Sequence, residues 1–101
     1  MAFEVIWSPQ ALADLEEIVA YIARDSADYA ADQARRIVHT IDLLEQTPRL
    51  GPRVWNLARG EIRKVVEGNY LMIYRIENWA VHILVIVHGA RQWRRLVREH
   101  L

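Results

Sequence analysis

The stretch GNYLMIYRIENWAVHILVIVHGARQ, residues 68–92, holds two apolar runs, Tyr70 to Ile76 and Val81 to Val87, on either side of a polar break at Glu77-Asn78. Both runs are rich in Val, Ile, Leu and Tyr and contain neither Gly nor Pro, so they read as two strands of a β-hairpin in the middle of a sheet. Alternation points Tyr70, Met72, Tyr74 and Ile76 to one face and Leu71 and Ile73 to the other. In the second run Val81, Ile83, Val85 and Val87 oppose Leu84 and Ile86. A strand that is apolar on both faces needs both faces covered.

Upstream, EIRKVVE at 61–67 is another strand, and Gly68-Asn69 is a two-residue turn that pairs it antiparallel with the first run. The segment TPRLGPRVWNLARG at 47–60 reads as a loop, punctuated by Pro48, Gly51 and Pro52. Before it come two amphipathic helices. The first starts at Ser8-Pro9, a capping residue followed by a proline suited to the first helical position. Its apolar positions are Leu12, Leu15, Ile18, Val19 and Ile22, with Asp14, Glu16 and Glu17 on other faces. The second is capped around Ser26 to Asp28, carries Ala30, Ala34, Ile37, Ile41 and Leu44 as a narrow seam, and ends at Pro48. Phe3 to Trp7 reads as a first short strand. The order β-α-α-β-β-β predicts a single domain over 1–101, an α+β two-layer fold with an antiparallel helical hairpin on one face of a four-stranded antiparallel sheet. Two helices cover one face and leave the other open.

Composition narrows the chemistry. The chain has 101 residues and no cysteine, which excludes disulfides, thiolate catalysis and zinc-thiolate sites. The opening MAFEVIW has no basic region followed by an apolar one, and no run approaches a membrane span, so the cytoplasm is the expected location. A net charge of zero conceals an asymmetry. Residues 1–46 hold nine acids and three bases, and residues 47–101 hold ten bases and four acids, giving halves of −6 and +6. The basic half offers a surface suited to an anionic partner, or an acidic helical layer simply lies beside a basic sheet layer.

Taken together, VIWSPQALADLEEIVAYIA at 5–23, TPRLG at 47–51, IRKVVEGNYLMIYRIE at 62–77 and VIVHGARQ at 85–92 resemble the ParE branch of the ParE/RelE toxins of bacterial type II toxin–antitoxin modules, a group that includes plasmid stabilisation proteins. The resemblance spans essentially the whole chain and implies two helices packed on an antiparallel sheet. It also implies an antitoxin partner of the ParD type, whose C-terminal segment wraps the toxin in a hetero-oligomer that binds operator DNA through the antitoxin. Neither a cofactor nor a metal is expected. An open apolar sheet face is itself an interaction site, for an antitoxin peptide or a second copy of the chain. Tyr70, Met72 and Tyr74 read as core or as antitoxin-binding surface, with Ile83 and Val85 of the next strand in the same antitoxin-binding set.

The resemblance implies one of two activities: ParE-type members are associated with inhibition of DNA gyrase, and RelE-type members are ribosome-dependent mRNA endoribonucleases. Cleavage by 2′-hydroxyl attack needs a base, an acid and cations on the developing charge. Where many RelE-type members carry arginine after the first Tyr of the NYLMIYR segment, this chain has Leu71. A tyrosine often found in their tail is also missing, and Trp93 is the only tail aromatic. No catalytic residue is therefore assigned under the gyrase reading. Under the nuclease reading His88 is the proton shuttle, with Arg91 and either Arg63 or Lys64 as cations. His82 alternates onto the face of His88, but at ~20 Å, too far for joint catalysis. Arg75 is expected to form an ion pair with Glu61 or Glu67. In the tail, Arg91, Trp93, Arg94 and Arg95 combine an aromatic anchor with guanidinium groups and are assigned to target binding; the plainer alternative is a solvated helix.

Overall fold

The computed structural model describes residues 2–56, 59–89 and 92–99. Strand β1, Glu4–Trp7, leads into helix α1, Pro9–Ala23, and helix α2, Ala27–Asp42, which a 3₁₀ turn at Leu43–Glu45 extends. Strands β2, Arg53–Asn56, β3, Glu61–Glu67, β4, Tyr70–Glu77, and β5, Ala80–His88, follow, and helix α3, Trp93–Arg98, closes the described chain. They form one five-stranded sheet in the order β1-β5-β4-β3-β2.

The α+β class and the helical hairpin are as the sequence indicates, with two additions to the sheet. The segment 47–60, expected to be loop throughout, contains β2, which pairs antiparallel with the outer side of β3. Strand β1 lies parallel to β5 while every other pairing is antiparallel, so the sheet is mixed. The parallel pair follows from connectivity: α1 and α2 carry the chain across one face before it returns, so β1 and β5 need not share a tight turn.

Helix α1 starts as its first residues dictate. The Ser8 hydroxyl oxygen accepts from the Ala11 N–H at 2.9 Å and donates to the Leu84 carbonyl at 2.8 Å, so one side chain caps the helix and ties it to β5. Helix α2 is capped in the same way by Ser26, which accepts from the Tyr29 N–H at 3.1 Å. Asp32 and Arg36, four apart on α2, form an ion pair at 2.8 Å. Under the hairpin, Ala11, Leu15 and Ile18 of α1 and Ile37, Ile41 and Leu44 of α2 pack on Met72, Tyr74, Ile76, Val81 and Ile83. The buried line of α1 runs through Ala11 and leaves Leu12 exposed, one position from the expected stripe.

A bulge in β5 reorders its faces. Ile73 pairs with Val85 and Tyr74 with Ile83, so Leu84 is an extra residue. Beyond it the alternation inverts: Val81, Ile83 and Ile86 lie under the hairpin, and Leu84, Val85 and Val87 face the other way. Strand β1 pairs with β5 only as far as Ile83, and beyond its end the half-buried Asp14 carboxylate accepts from the Ile86 N–H at 2.9 Å. Asp14, read as a polar-face residue, is thus a structural hydrogen-bond acceptor.

The second sheet face is not open. Helix α3 lies over it, with Trp93 and Val97, four apart, entering an apolar cluster of Ile62, Leu71, Ile73, Leu84, Val85 and Val87, flanked by Val54 and Trp55. The tail thus supplies the cover that the strand pattern requires, in place of the external partner expected there.

Candidate functional site

Three surfaces carry the polar chemistry of the molecule. The first is the rim of α3. Trp93 is only 6% exposed, and its ring stands 5.7 Å from that of Trp55. Three cations lie over these rings. The Arg94 guanidinium is 4.4 Å and the Lys64 ammonium 5.7 Å from the Trp93 centroid, and the Arg98 guanidinium is 5.9 Å from that of Trp55. Of the expected target-binding set, Arg94 and Arg95 are exposed on α3 and available to an anionic surface. Trp93 is a correction: it faces the core and, with Val97, anchors the helix by burying its indole on an apolar sheet. Arg91 lies outside the described residues.

The second surface is a cleft of about 490 Å³ lined by Glu17, Ile18, Tyr21, Tyr70 and His88. His88 is exposed, and its ring meets Tyr70 edge-on at 5.2 Å. Burial, reinforced by the neighbouring Tyr29 and Tyr21, pushes the Tyr70 phenol above its ordinary value, so it remains protonated at neutral pH.

The structure does not assemble the residues of the nuclease alternative. Arg63 shares the hairpin face with His88, but lies across β4 and four positions along it, about 16 Å away by strand geometry. It is also committed elsewhere, donating from Nη1 to the Gly51 carbonyl at 2.7 Å. Lys64 points to the opposite face, toward Trp93. His82 and His88 do not share a face either, because the Leu84 bulge lies between them. Arg75 pairs with Glu77 rather than with Glu61 or Glu67. Leu71, at the position of the family arginine, is 8% exposed and packed in the cluster that holds Trp93 and Val97. No group of three potential metal ligands occurs among the described residues.

The expected antitoxin-binding set is corrected in the same way. Met72, Tyr74 and Ile83 are fully buried under the hairpin, and Val85 is buried on the α3 face, where the bulge turns it. Their side chains are core. Tyr70, half-buried at the sheet end, is the one member that retains exposed surface.

The third surface was not singled out from the sequence. Glu61, its side chain 12% exposed, is ringed by three guanidinium groups: Arg49 Nε at 3.0 Å, Arg63 Nε at 3.4 Å and Arg53 Nη1 at 3.6 Å. Burial raises the Glu61 pKa, but the hydrogen bond from Arg63 and the charges of Arg63, Arg49 and Arg53 outweigh it and hold the carboxyl below its ordinary range. The loop that delivers Arg49 and Arg53 is fixed from beneath. The Gly51 N–H donates to the Tyr74 hydroxyl at 3.1 Å, and the Lys64 N–H donates to the Pro52 carbonyl at 3.2 Å. Gly51 must be glycine, since a Cβ there would stand 1.8 Å from the Lys64 carbonyl oxygen. A sequence signal existed: Arg49 and Arg53 flank the Gly51-Pro52 turn, and Glu61 and Arg63 share a strand face. Only the strand β2, unread in the sequence, brings the two pairs together.

The sequence profile described as "ParE toxin of type II toxin-antitoxin system, parDE" matches residues 5–93. Toxin RelE2 of Caulobacter vibrioides is 36% identical over 89 residues, covering 87% of this chain and 97% of its own. Toxin ParE1 of the same organism is 33% identical over 88 residues, covering 86% and 90%. Relatives bearing both branch names thus stand at similar identity. Among solved structures, the chromosomal ParDE toxin–antitoxin system of P. aeruginosa superposes with a TM-score of 0.70 at 20% identity, covering 86% of this chain and 96% of that one. It confirms the fold. No helix among the described residues is long and apolar enough to cross a membrane.

Proposed function

Because the chain belongs to the ParE toxin family of type II toxin–antitoxin systems, we propose that it is a gyrase-directed toxin of the ParE kind, which inhibits DNA gyrase in the cytoplasm by binding and not by catalysis. The observation that carries this reading is Leu71. The position that would hold a phosphate-stabilising arginine in a nuclease is a leucine sealed beneath α3, in an apolar layer with no acid or base among its buried residues. Exposed Arg94 and Arg95, with Arg91 before them in the chain, are the proposed target-binding groups; the fork of a guanidinium suits an acidic protein surface.

A ParD-like antitoxin neutralises the toxin in this reading, and the toxin–antitoxin assembly binds operator DNA through the antitoxin. Its contact is placed at the Tyr70 end, where Tyr21 and Tyr29, 71% and 57% exposed, leave large apolar surface in water.

The test is a supercoiling assay with purified toxin, gyrase, plasmid and ATP. Accumulated cleavage complexes and lost supercoiling, abolished by Arg94→Ala/Arg95→Ala in a folded protein and reversed by antitoxin, are the expected result. An unaffected gyrase together with ribosome-dependent mRNA cleavage would reject the reading. The second reading, a RelE-like endoribonuclease, draws on the exposed His88 beside Tyr70 and requires that His88→Ala abolish toxicity.

A further inference from the structure

We infer that the cleft around Glu61 is an anion site that takes a phosphate of a nucleic-acid backbone, so that the toxin contacts DNA directly, apart from any grip on a protein target. The cleft has a volume of about 370 Å³ and is lined by Arg49, Arg53 and Arg63 together with Asn56 and Asn78. One carboxylate faces three guanidinium groups, so its centre keeps a net charge of +2. The neighbouring Glu77, also on the lining, is neutralised by Arg75.

The arrangement is organised and not merely basic. Glu61 is held ionised and nearly buried, which fixes the arginines around it, while the side chains of Arg49 and Arg53 remain 61% and 54% exposed. Arg49 meets Glu61 through Nε, leaving the N–H groups of its two terminal nitrogens for another acceptor. Arg53 stands at 3.6 Å, an ion pair too long to be a hydrogen bond. Two guanidinium groups gathered on one carboxylate, with outward N–H groups left over, offer the forks that pair with phosphate oxygens. The loop beneath cannot retreat, because Gly51 abuts the backbone of β3.

A polymer is favoured over a small anion by what lies around the edge strand. The register of β2 shifts between Arg53 and Trp55, with Val54 as the extra residue. Arg53 pairs with Arg63 on the cleft side, and Trp55 pairs with Ile62 on the α3 side, where Arg98 and Trp93 flank it. The edge strand thus presents the Arg53 guanidinium, beside those of Arg49 and Arg63, on one side and a half-exposed indole with cations on the other. Cations that track a backbone beside an aromatic that accepts a base are the parts of a single-strand site. An acidic polypeptide would use the arginines but has no need of the indole.

The inference does not rest on the gyrase reading, since it is tested with toxin and DNA alone. Purified toxin, freed of antitoxin, is titrated into a fluorescein-labelled mixed-sequence single-stranded oligodeoxynucleotide at about 50 mM and about 200 mM salt, and binding is read by anisotropy. Expected is salt-dependent binding by the wild type, weakened about tenfold in Arg49→Ala/Arg53→Ala, with the slope of log affinity against log salt reduced by about one to two. A circular dichroism melt confirms the fold of the variant. Should the variant unfold, the arginine Nε–Hε NMR signals of the wild type decide: those of Arg49, Arg53 and Arg63 shift on adding the oligonucleotide. Unlabelled oligonucleotide, polyglutamate and inorganic phosphate serve as competitors, and preferential displacement by the oligonucleotide is expected. Absence of DNA binding, an unchanged affinity and slope in the double variant, shifts confined to α3, or binding of polyglutamate in preference to DNA would each overturn the inference.

Discussion

Replacing Tyr74 by phenylalanine removes one oxygen atom from the centre of the molecule and tests how the arginine-bearing loop is held. The Tyr74 ring is fully buried, and its hydroxyl accepts from the N–H of Gly51, itself buried, at 3.1 Å. Burial, only partly offset by that hydrogen bond and by Arg63, pushes the phenol above its ordinary value, so the group is neutral throughout the working pH range. In Tyr74→Phe the ring still fills its space and creates no cavity of consequence. The Gly51 N–H loses its acceptor and cannot reach water. An orphaned buried donor costs ~1–3 kcal/mol. For a chain of this size 1 kcal/mol shifts the midpoint by ~4–8 °C, so a fall of roughly 4–24 °C is expected in a thermal circular dichroism melt. The same variant should loosen Arg49 and Arg53, because Gly51 sits between them in the chain. Gly51→Ala, which drives a Cβ into the Lys64 carbonyl, should cost more than Tyr74→Phe. A Tyr74→Phe melt within a degree or so of wild type would refute the account, since the loop would then not depend on this hydrogen bond.

Three further outcomes are expected. Because the folded-state pKa of Glu61 is depressed, its contribution to stability is fully present above the ordinary carboxylate range and is lost as pH falls through the lower folded value; Glu61→Gln should flatten the acid limb of a stability–pH profile and lower stability at neutral pH. Asp14→Ala leaves the Ile86 N–H at the β5 bulge without its acceptor and should cost ~1–3 kcal/mol in chemical denaturation, with Asp14→Asn recovering most of it because an amide oxygen still accepts. Trp93→Ala removes the main anchor of α3. Since that helix reaches the sheet through Trp93 and Val97, the loss should appear as fast hydrogen exchange in residues 93–98 and new dye binding to the exposed apolar face, while the hairpin core keeps its protection.

Legibility of the fold followed the range of the interactions that make it. The caps at Ser8 and Ser26, the Gly68-Asn69 turn and the two long strands were readable because each is decided by residues a few positions apart. Strand β2 was not, because four residues beside Gly51 and Pro52 carry no periodicity, and only the free edge of β3 makes them a strand. The bulges at Val54 and Leu84 were invisible for a similar reason: one extra residue leaves local composition unchanged and inverts everything beyond it. That inversion moved Val85 to the α3 face and parted His82 from His88. The site suffered most, since the antitoxin set was drawn on an alternation that breaks at Leu84 and on a face assumed to be open.

The covered face also changes what Leu71 says about chemistry. A missing arginine, taken alone, is one absent cation that another residue could replace from a neighbouring strand. Here the neighbourhood is apolar: Val66 and Val87 pair with it across the sheet, and Ile62, Ile73, Leu84, Val85, Trp93 and Val97 share its cluster. Restoring a guanidinium by Leu71→Arg would bury it without a carboxylate in the cluster, and an unpaired buried charge is costly enough that α3 would have to lift. Two cations at the border of the layer, Lys64 and Arg94, already lie against the Trp93 indole. Polar chemistry is thereby displaced to the rim: to Arg94, Arg95 and Arg98 on α3, and to the guanidinium ring that Glu61 gathers at the β2 edge. Of the ten bases in the second half of the chain, Arg94, Arg95 and Arg98 lie on α3 and Arg49, Arg53 and Arg63 gather around Glu61 at the β2 edge. Among the described residues, the ordered cations at the border of this apolar cluster are the groups placed to grip an anion.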